Sequence, residues 1–184
     1  YEQLENMKSL TKEQQRNLAS INPYYTKTFE QVKLQIDAKV AESKVKAGKR
    51  IREVPSVSEK KLFDAIMARY KGKVVMVDLW ATWCGPCRGA IASFEPRKNK
   101  FKDKDVVFVY ITNESSPESK WLEMVAGIEG EHYRLNRKQW DYICDYFGVD
   151  GIPSYVIVDR DGNARLRNDL RGAGMLEQEL SGML

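Results

Sequence analysis

The sequence predicts an α/β domain in which helices flank a central mixed β-sheet. Residues 74–77 form a mostly β-branched apolar run, which is typical of a strand buried in a parallel sheet. From this run onward, apolar periodicity and turn residues predict the order strand, helix, strand, helix, short strand, helix, hairpin, helix. Strands that alternate with helices favour parallel pairing, and the closing hairpin adds antiparallel strands, so the sheet should be mixed.

A helical arm should precede this domain. We expect residues 1–52 to form the arm or an interdomain linker and residues 53–184 to form the α/β domain. Within the arm, Val32, Ile36 and Val40 have the three-to-four residue spacing of one apolar helix face. Such a stripe must pack on something, and the sequence leaves open whether this is the same domain, an upstream domain or another chain.

A pair of cysteines follows the first strand directly, in the segment Trp83-Cys84-Gly85-Pro86-Cys87. The Gly-Pro pair ends the strand, and proline is well suited to the first turn of a helix. The two thiols therefore lie three residues apart at a strand-to-helix junction, where one disulfide can link them. Free N–H groups and the positive end of the helix dipole stabilise a thiolate at the first cysteine.

This segment resembles the active-site motif of thioredoxins, and Asp78 stands where that family has a buried carboxylate. Further along, Ile152-Pro153 resembles the family's cis-proline loop, which packs beside the disulfide. The stretch from Thr112 to Pro153 is longer than a minimal thioredoxin needs and has room for an added strand and helix. The chain is therefore identified as a member of the TlpA/ResA branch, with a thioredoxin-like fold and a TlpA-type strand–helix insertion.

The resemblance implies a role for each site residue. Cys84 would attack a substrate disulfide as the thiolate, and Cys87 would resolve the mixed disulfide. Asp78 would accept the proton of the resolving thiol, since burial at the end of a strand should raise its pKa. The residues expected to bind substrate are Trp83, Gly85, Pro86, Ile152 and Pro153.

The other potential metal ligands are few. A structural zinc site usually takes four Cys or His ligands, and only Cys144 and His132 remain outside the motif. We therefore expect no metal and no cofactor other than the Cys84–Cys87 disulfide. Cys144 lies on the apolar face of a predicted helix and should be a buried core thiol, with a third redox partner or a dimer-forming thiol as alternatives. His132 should be an exposed strand residue.

Composition and resemblance together indicate partners and location. The chain has 30 Lys and Arg against 26 Asp and Glu, a net charge of +4, which is a mixed surface and not a nucleic-acid footprint. The resemblance implies protein thiols and disulfides as substrates and an upstream electron donor. It also implies the bacterial periplasm or cell envelope instead of the cytoplasm, with a signal, membrane tether or upstream domain outside this chain.

The sequence thus predicts a protein-disulfide oxidoreductase that exchanges the Cys84–Cys87 pair with protein disulfides. Reduction is the favoured direction. The resemblance implies it, because the chain combines a Cys-Gly-Pro-Cys motif with Ile152 directly before the proline of the cis-proline loop. The alternative is a non-catalytic binding or scaffold module with a thioredoxin fold, in which the helical arm matters and the cysteines are vestigial. The intact motif argues against this alternative, because a decayed site usually loses a cysteine.

Overall fold

A computed structural model describes residues 11–20 and 23–184. The remaining parts of the predicted arm, residues 1–10 and 21–22, lie outside the described residues. The helices are α1 (Lys12–Ala19), α2 (Pro23–Gly48), α3 (Glu59–Met67), α4 (Gly85–Phe94), α5 (Glu118–Val125), α6 (Arg137–Phe147) and α7 (Ala173–Gly182). The strands are β1 (Val74–Leu79), β2 (Val106–Asn113), β3 (Glu131–Leu135), β4 (Ser154–Val158) and β5 (Ala164–Leu166). Short 3₁₀ turns span Ala68–Tyr70, Glu95–Phe101 and Asn168–Leu170.

The five strands form one mixed sheet in the order β3-β2-β1-β4-β5. Strands β1, β2 and β3 run parallel, β4 is antiparallel to β1, and β5 is antiparallel to β4. The predicted hairpin joins β4 and β5, where Gly162 has a φ of 91° and an Asp159 carboxylate oxygen accepts the Asn163 N–H. Glycine adopts that left-handed backbone conformation without a steric penalty.

Strand β1 is buried along its whole length, as its apolar run predicts. Alternate residues beginning with Val75 belong to the apolar core beneath α3 and α6. The intervening residues Met76 and Asp78 face the other side of the sheet. There α4 packs through Phe94 against Phe108 of β2, with ring centroids 5.7 Å apart. Helices therefore cover both faces of the strand that leads to the cysteines.

Strand β3 comes from the predicted insertion, and its outer edge is covered by a distant segment. The Arg52 N–H donates to the His132 carbonyl, and the His132 N–H donates to the Arg50 carbonyl. The prediction that His132 is exposed is therefore wrong, because no part of it reaches solvent. Its ring stacks on Tyr110 at 5.0 Å, its Nε2 lies 3.1 Å from the Ile128 carbonyl oxygen, and burial lowers its pKa to about 3.

The described residues form two compact units. One unit contains α1 and α2 together with Pro117–Gly127, the segment that includes α5, and α2 packs along α5. The other contains Arg50–Ser116 and Ile128–Leu184 and holds the whole sheet. The predicted fold class is confirmed, whereas the domain boundary between residues 52 and 53 stays a prediction. Among the described helices, none is both long and apolar enough to cross a membrane.

Candidate active site

The Cys84–Cys87 pair forms a disulfide at the first turn of α4. Cys84 is the N-cap residue of this helix, and its Sγ accepts the Cys87 N–H at 3.1 Å. Pro86 lies in the first turn, where its missing N–H costs no hydrogen bond. The Cys87 N–H and the helix dipole both favour negative charge at Cys84, so this sulfur is the one poised to become a thiolate on reduction.

The loop before β4 lies beside the disulfide. The antiparallel pairing of β4 with β1 sets Ser154 opposite Leu79, so the residues before Ser154 meet the residues that follow β1. The Ile152–Pro153 peptide bond is cis, as the resemblance implied. The Ile152 carbonyl oxygen lies 3.8 Å from Cys84 Sγ. The structure therefore brings together four of the predicted site residues, which are Cys84, Cys87, Ile152 and Pro153.

Trp83 stands beside the disulfide with 62% of its surface exposed. Its indole Nε1–H donates to Ser115 Oγ at 2.9 Å, and the Ser115 N–H donates to Asn113 Oδ1 at 2.8 Å. In the same loop, Ser116 Oγ accepts the Thr82 N–H at 3.0 Å. The residues that follow β2 therefore fix both the indole and the backbone before the cysteines, a role that the sequence did not reveal.

A cleft of about 340 Å³ opens next to this indole. Trp83 and Ile152 line it together with Trp140 and Cys144 from α6. The prediction that Cys144 is a buried core thiol is wrong, because it is only half-buried, and its neighbour Ile143 takes the place in the core. Partial burial raises the pKa of the Cys144 thiol to about 11, so it is protonated at neutral pH.

Asp78 lies on the face of the sheet that α4 covers, the helix that contains Cys87. Only 2% of it is exposed, and among the described residues its Oδ1 has no hydrogen-bond partner. Its neighbours in register are Tyr110 on β2 and Tyr155 on β4. Burial raises the pKa of Asp78 to about 8, although the Lys98 ammonium opposes this rise. The carboxyl can therefore take or release a proton near neutral pH.

Lys98 is the cation that acts on this carboxyl, and the sequence gave no sign of it. It lies in the 3₁₀ turn after α4, and only 3% of it is exposed. Its Nζ donates to Glu95 Oε2 at 2.6 Å and to the Glu129 carbonyl, and it lies 4.7 Å from the centre of the Tyr110 ring. Burial lowers the pKa of Lys98, while hydrogen bonding to Glu95 opposes this.

The described residues offer no cluster of three or more His, Cys, Asp or Glu side chains arranged to hold a metal ion. The Cys84–Cys87 pair alone supplies two sulfur ligands, fewer than the four protein ligands of a typical structural zinc site. The disulfide at the start of α4 can itself exchange with other thiols and disulfides at sulfur.

The chain belongs to the Thioredoxin-like family, whose model matches residues 72–164, half of the chain. The thioredoxin-like protein YneN of Bacillus subtilis is 39% identical over 92 residues, which are 50% of this chain and 54% of that protein. The thiol-disulfide oxidoreductase ResA of Bacillus thuringiensis is 24% identical over 92 residues, or 50% of this chain and 52% of ResA. The resemblance to the thioredoxin superfamily and its TlpA/ResA branch is confirmed.

A solved structure shows the same fold. The thioredoxin domain of a thiol-disulfide oxidoreductase from Bacteroides vulgatus superposes with a TM-score of 0.56 at 22% identity, covering 64% of this chain and 84% of that one. The match supports the fold alone. This chain spans about half the length of the two curated relatives.

Replacing Asp78 with Asn should stabilise the oxidised protein increasingly as the pH rises. The pKa of Asp78 is raised from 3.8 to about 8 in the fold, so the native state holds a proton that the unfolded chain has released. The native protein therefore loses stability between pH 3.8 and about 8, and this loss should disappear in the variant. Between pH 5 and 8 the difference should be on the order of 3 kcal/mol, which urea unfolding measures. An equal effect of the substitution at both pH values would contradict this assignment.

Replacing Lys98 with Met should raise the pKa of Asp78 further, because it removes the ammonium that opposes protonation. Titration of the Asp78 carboxyl carbon by NMR measures this change. Lys100→Met is the matched control, since Lys100 is mostly exposed and pairs with Glu177. An Asp78 titration that does not change in Lys98→Met rules out this coupling.

Proposed function

We propose that this chain is a thiol–disulfide oxidoreductase that reduces disulfides of other proteins outside the cytoplasm. The observation that supports this most directly is the disulfide itself, which lies at a helix N-terminus between the exposed Trp83 and the Ile152 carbonyl. Membership of the Thioredoxin-like family and the similarity to the thiol-disulfide oxidoreductase ResA support the same reaction. Protein thiols and disulfides are the proposed partners, and the disulfide is the proposed redox group, with no further cofactor.

In the first half of the exchange, the reduced Cys84 thiolate attacks one sulfur of the substrate disulfide. A bond forms between Cys84 Sγ and that sulfur while the substrate's own S–S bond breaks. The other substrate sulfur leaves as a thiolate and takes a proton from solvent. The positive end of α4 holds Cys84 ionised before the attack, and a thiol pKa near the ambient pH gives the best balance of ionisation and nucleophilicity.

In the second half, Cys87 resolves the mixed disulfide. The ionised fraction of Asp78 accepts the S–H proton of Cys87, and the resulting thiolate attacks Cys84 Sγ. The Cys84–Cys87 bond forms, and the second substrate sulfur leaves as a thiolate and takes a proton from solvent, while Asp78 releases its proton. Two electrons pass from the protein to the substrate in the complete cycle, so a separate dithiol donor must reduce the pair again. Asp78 suits this role because it is buried under α4 with an oxygen that lacks a partner among the described residues.

The proposed direction, reduction, rests on the resemblance of the Cys-Gly-Pro-Cys motif with Ile152 before the cis-proline, and the proposed location follows the branch. Members of the TlpA/ResA branch are exported or membrane-tethered, and the insertion between β2 and β4 relates this chain to them. A periplasmic or cell-envelope site is therefore proposed, together with a tether or upstream domain outside this chain. The alternative of a non-catalytic scaffold has no supporting observation, since both cysteines are present and paired.

Cys84→Ser should abolish dithiothreitol-driven reduction of insulin, because the attacking sulfur is lost. Cys87→Ser should instead accumulate a mixed disulfide between Cys84 and the substrate, which non-reducing electrophoresis and mass spectrometry detect. Cys144→Ser is the matched control and should keep at least half of the wild-type rate, because Cys144 takes no part in the exchange. Full activity in Cys84→Ser would refute the proposed function.

A further inference from the structure

Helix α2 carries apolar residues on two opposite faces. The stripe that the sequence predicted, Val32, Ile36 and Val40, is half-buried, and α2 packs along α5 in the same compact unit. Leu34 lies two positions from Ile36, which is about 200° around an α-helix. A side chain at this position therefore points away from the half-buried face.

Leu34 belongs to a second apolar stripe, here called the outer stripe, which consists of Leu34, Ala38, Ala41 and Val45. Residues that are four, three and four positions apart lie on one face of a helix. All four are exposed, Leu34 to 69% and Val45 to 78%. The outer stripe therefore presents an apolar strip of α2 to solvent.

The four-three-four spacing is that of the apolar seam between two coiled helices. The two small residues lie in the middle of the outer stripe, and the two large residues lie at its ends. When a second copy of α2 lies antiparallel to the first, with the axis between Ala38 and Ala41, each Ala38 lies opposite the other copy's Ala41. Each Leu34 then lies opposite the other copy's Val45. The outer stripe thus matches itself in size when the helices are antiparallel.

The charges beside the outer stripe also match in the antiparallel orientation. Asp37 and Lys44 flank it on one side, and Glu42 and Lys49 flank it on the other. In an antiparallel pair the same side of each helix meets, so Asp37 faces the other copy's Lys44, and symmetry makes this contact twice. In a parallel pair, Asp37 would face Glu42 and Lys44 would face Lys49. Like charges repel, so the charges favour the antiparallel pair.

These charged side chains are accessible to a partner. Asp37 is 48% exposed and pairs with Lys33 at 3.8 Å, while Glu42 is 63% exposed and pairs with Lys46 at 2.6 Å. Both pairs join residues four positions apart on the surface of α2, where an ion pair contributes little stability. A second helix can therefore add its own charge contacts at a small cost.

We propose that the outer stripe binds the outer stripe of a second copy of this chain, so that two α2 helices pair antiparallel. The contact spans about three helical turns, which is typical of a small and reversible interface. We expect a dissociation constant on the order of 100 μM. The proposal concerns α2 and does not depend on the exchange at Cys84.

Sedimentation velocity between about 10 μM and about 1 mM measures this self-association. Val45→Ser should weaken it at least tenfold, because the dimer buries Val45 of both copies. Val57→Ser is the matched control and should associate like the wild type, since Val57 is an exposed valine outside α2. Equal association of Val45→Ser and the wild type would overturn the proposal. A wild-type chain that stays monomeric would overturn it as well, and this is the result expected if an upstream segment of a longer protein covers the outer stripe instead.

Reversing the flanking charges tests the partner and the orientation together. Asp37→Lys places two lysines opposite each other at both symmetric contacts, and Lys44→Asp places two aspartates opposite each other. Each variant alone should therefore associate about tenfold more weakly than the wild type at low salt. An equimolar mixture of the two variants should recover the wild-type association, because opposite charges face each other in the mixed dimer. A mixture that associates no better than the single variants would overturn the proposal.

Discussion

The candidate site depends on the pairing of β1 with a strand on each side. The parallel register with β2 sets Leu79 opposite Ile111, so the loop that contains Ser115 and Ser116 meets the residues before Cys84. The antiparallel register with β4 brings the loop before Ser154 to the disulfide. A shift of the strand register by one residue would turn each side chain of the strand to the opposite face of the sheet. The core therefore fixes the register, and the register assembles the site.

The same strand accounts for the electrostatics. Because residues alternate between the faces of a strand, Asp78 points away from the main apolar core and into the layer beneath α4. An unpaired buried carboxylate is costly, so Asp78 holds a proton up to about pH 8. Lys98 limits this shift, and its hydrogen bond to Glu95 opposes the lowering of its own pKa by burial. The proton affinity of Asp78 therefore depends on its burial and on the charge of Lys98.

Much of the fold and of the candidate site could be predicted, because it follows from residues that lie close together in the sequence. The strand before Cys84, the turn at Gly162 and the cysteines at a helix start follow from short-range pattern, and the cis Ile152–Pro153 bond follows from family resemblance. Other features depend on contacts between segments far apart in sequence. His132 is buried because residues 50–52 cover the edge of β3.

Lys98 and Cys144 show the same limit. Lys98 lies in a polar, lysine-rich stretch and is buried only because Glu129 and the ring of Tyr110 approach it from elsewhere in the chain. Cys144 follows the apolar pattern of α6, yet it faces the cleft beside Ile152. The central claim is that Cys84 and Cys87 form a reversible two-electron couple, and equilibration with mixtures of reduced and oxidised glutathione tests it most directly. The account predicts a single transition between disulfide and dithiol, which mass spectrometry detects after thiol trapping. A pair that stays in one state at every glutathione ratio, and also under reducing dithiothreitol, would contradict it.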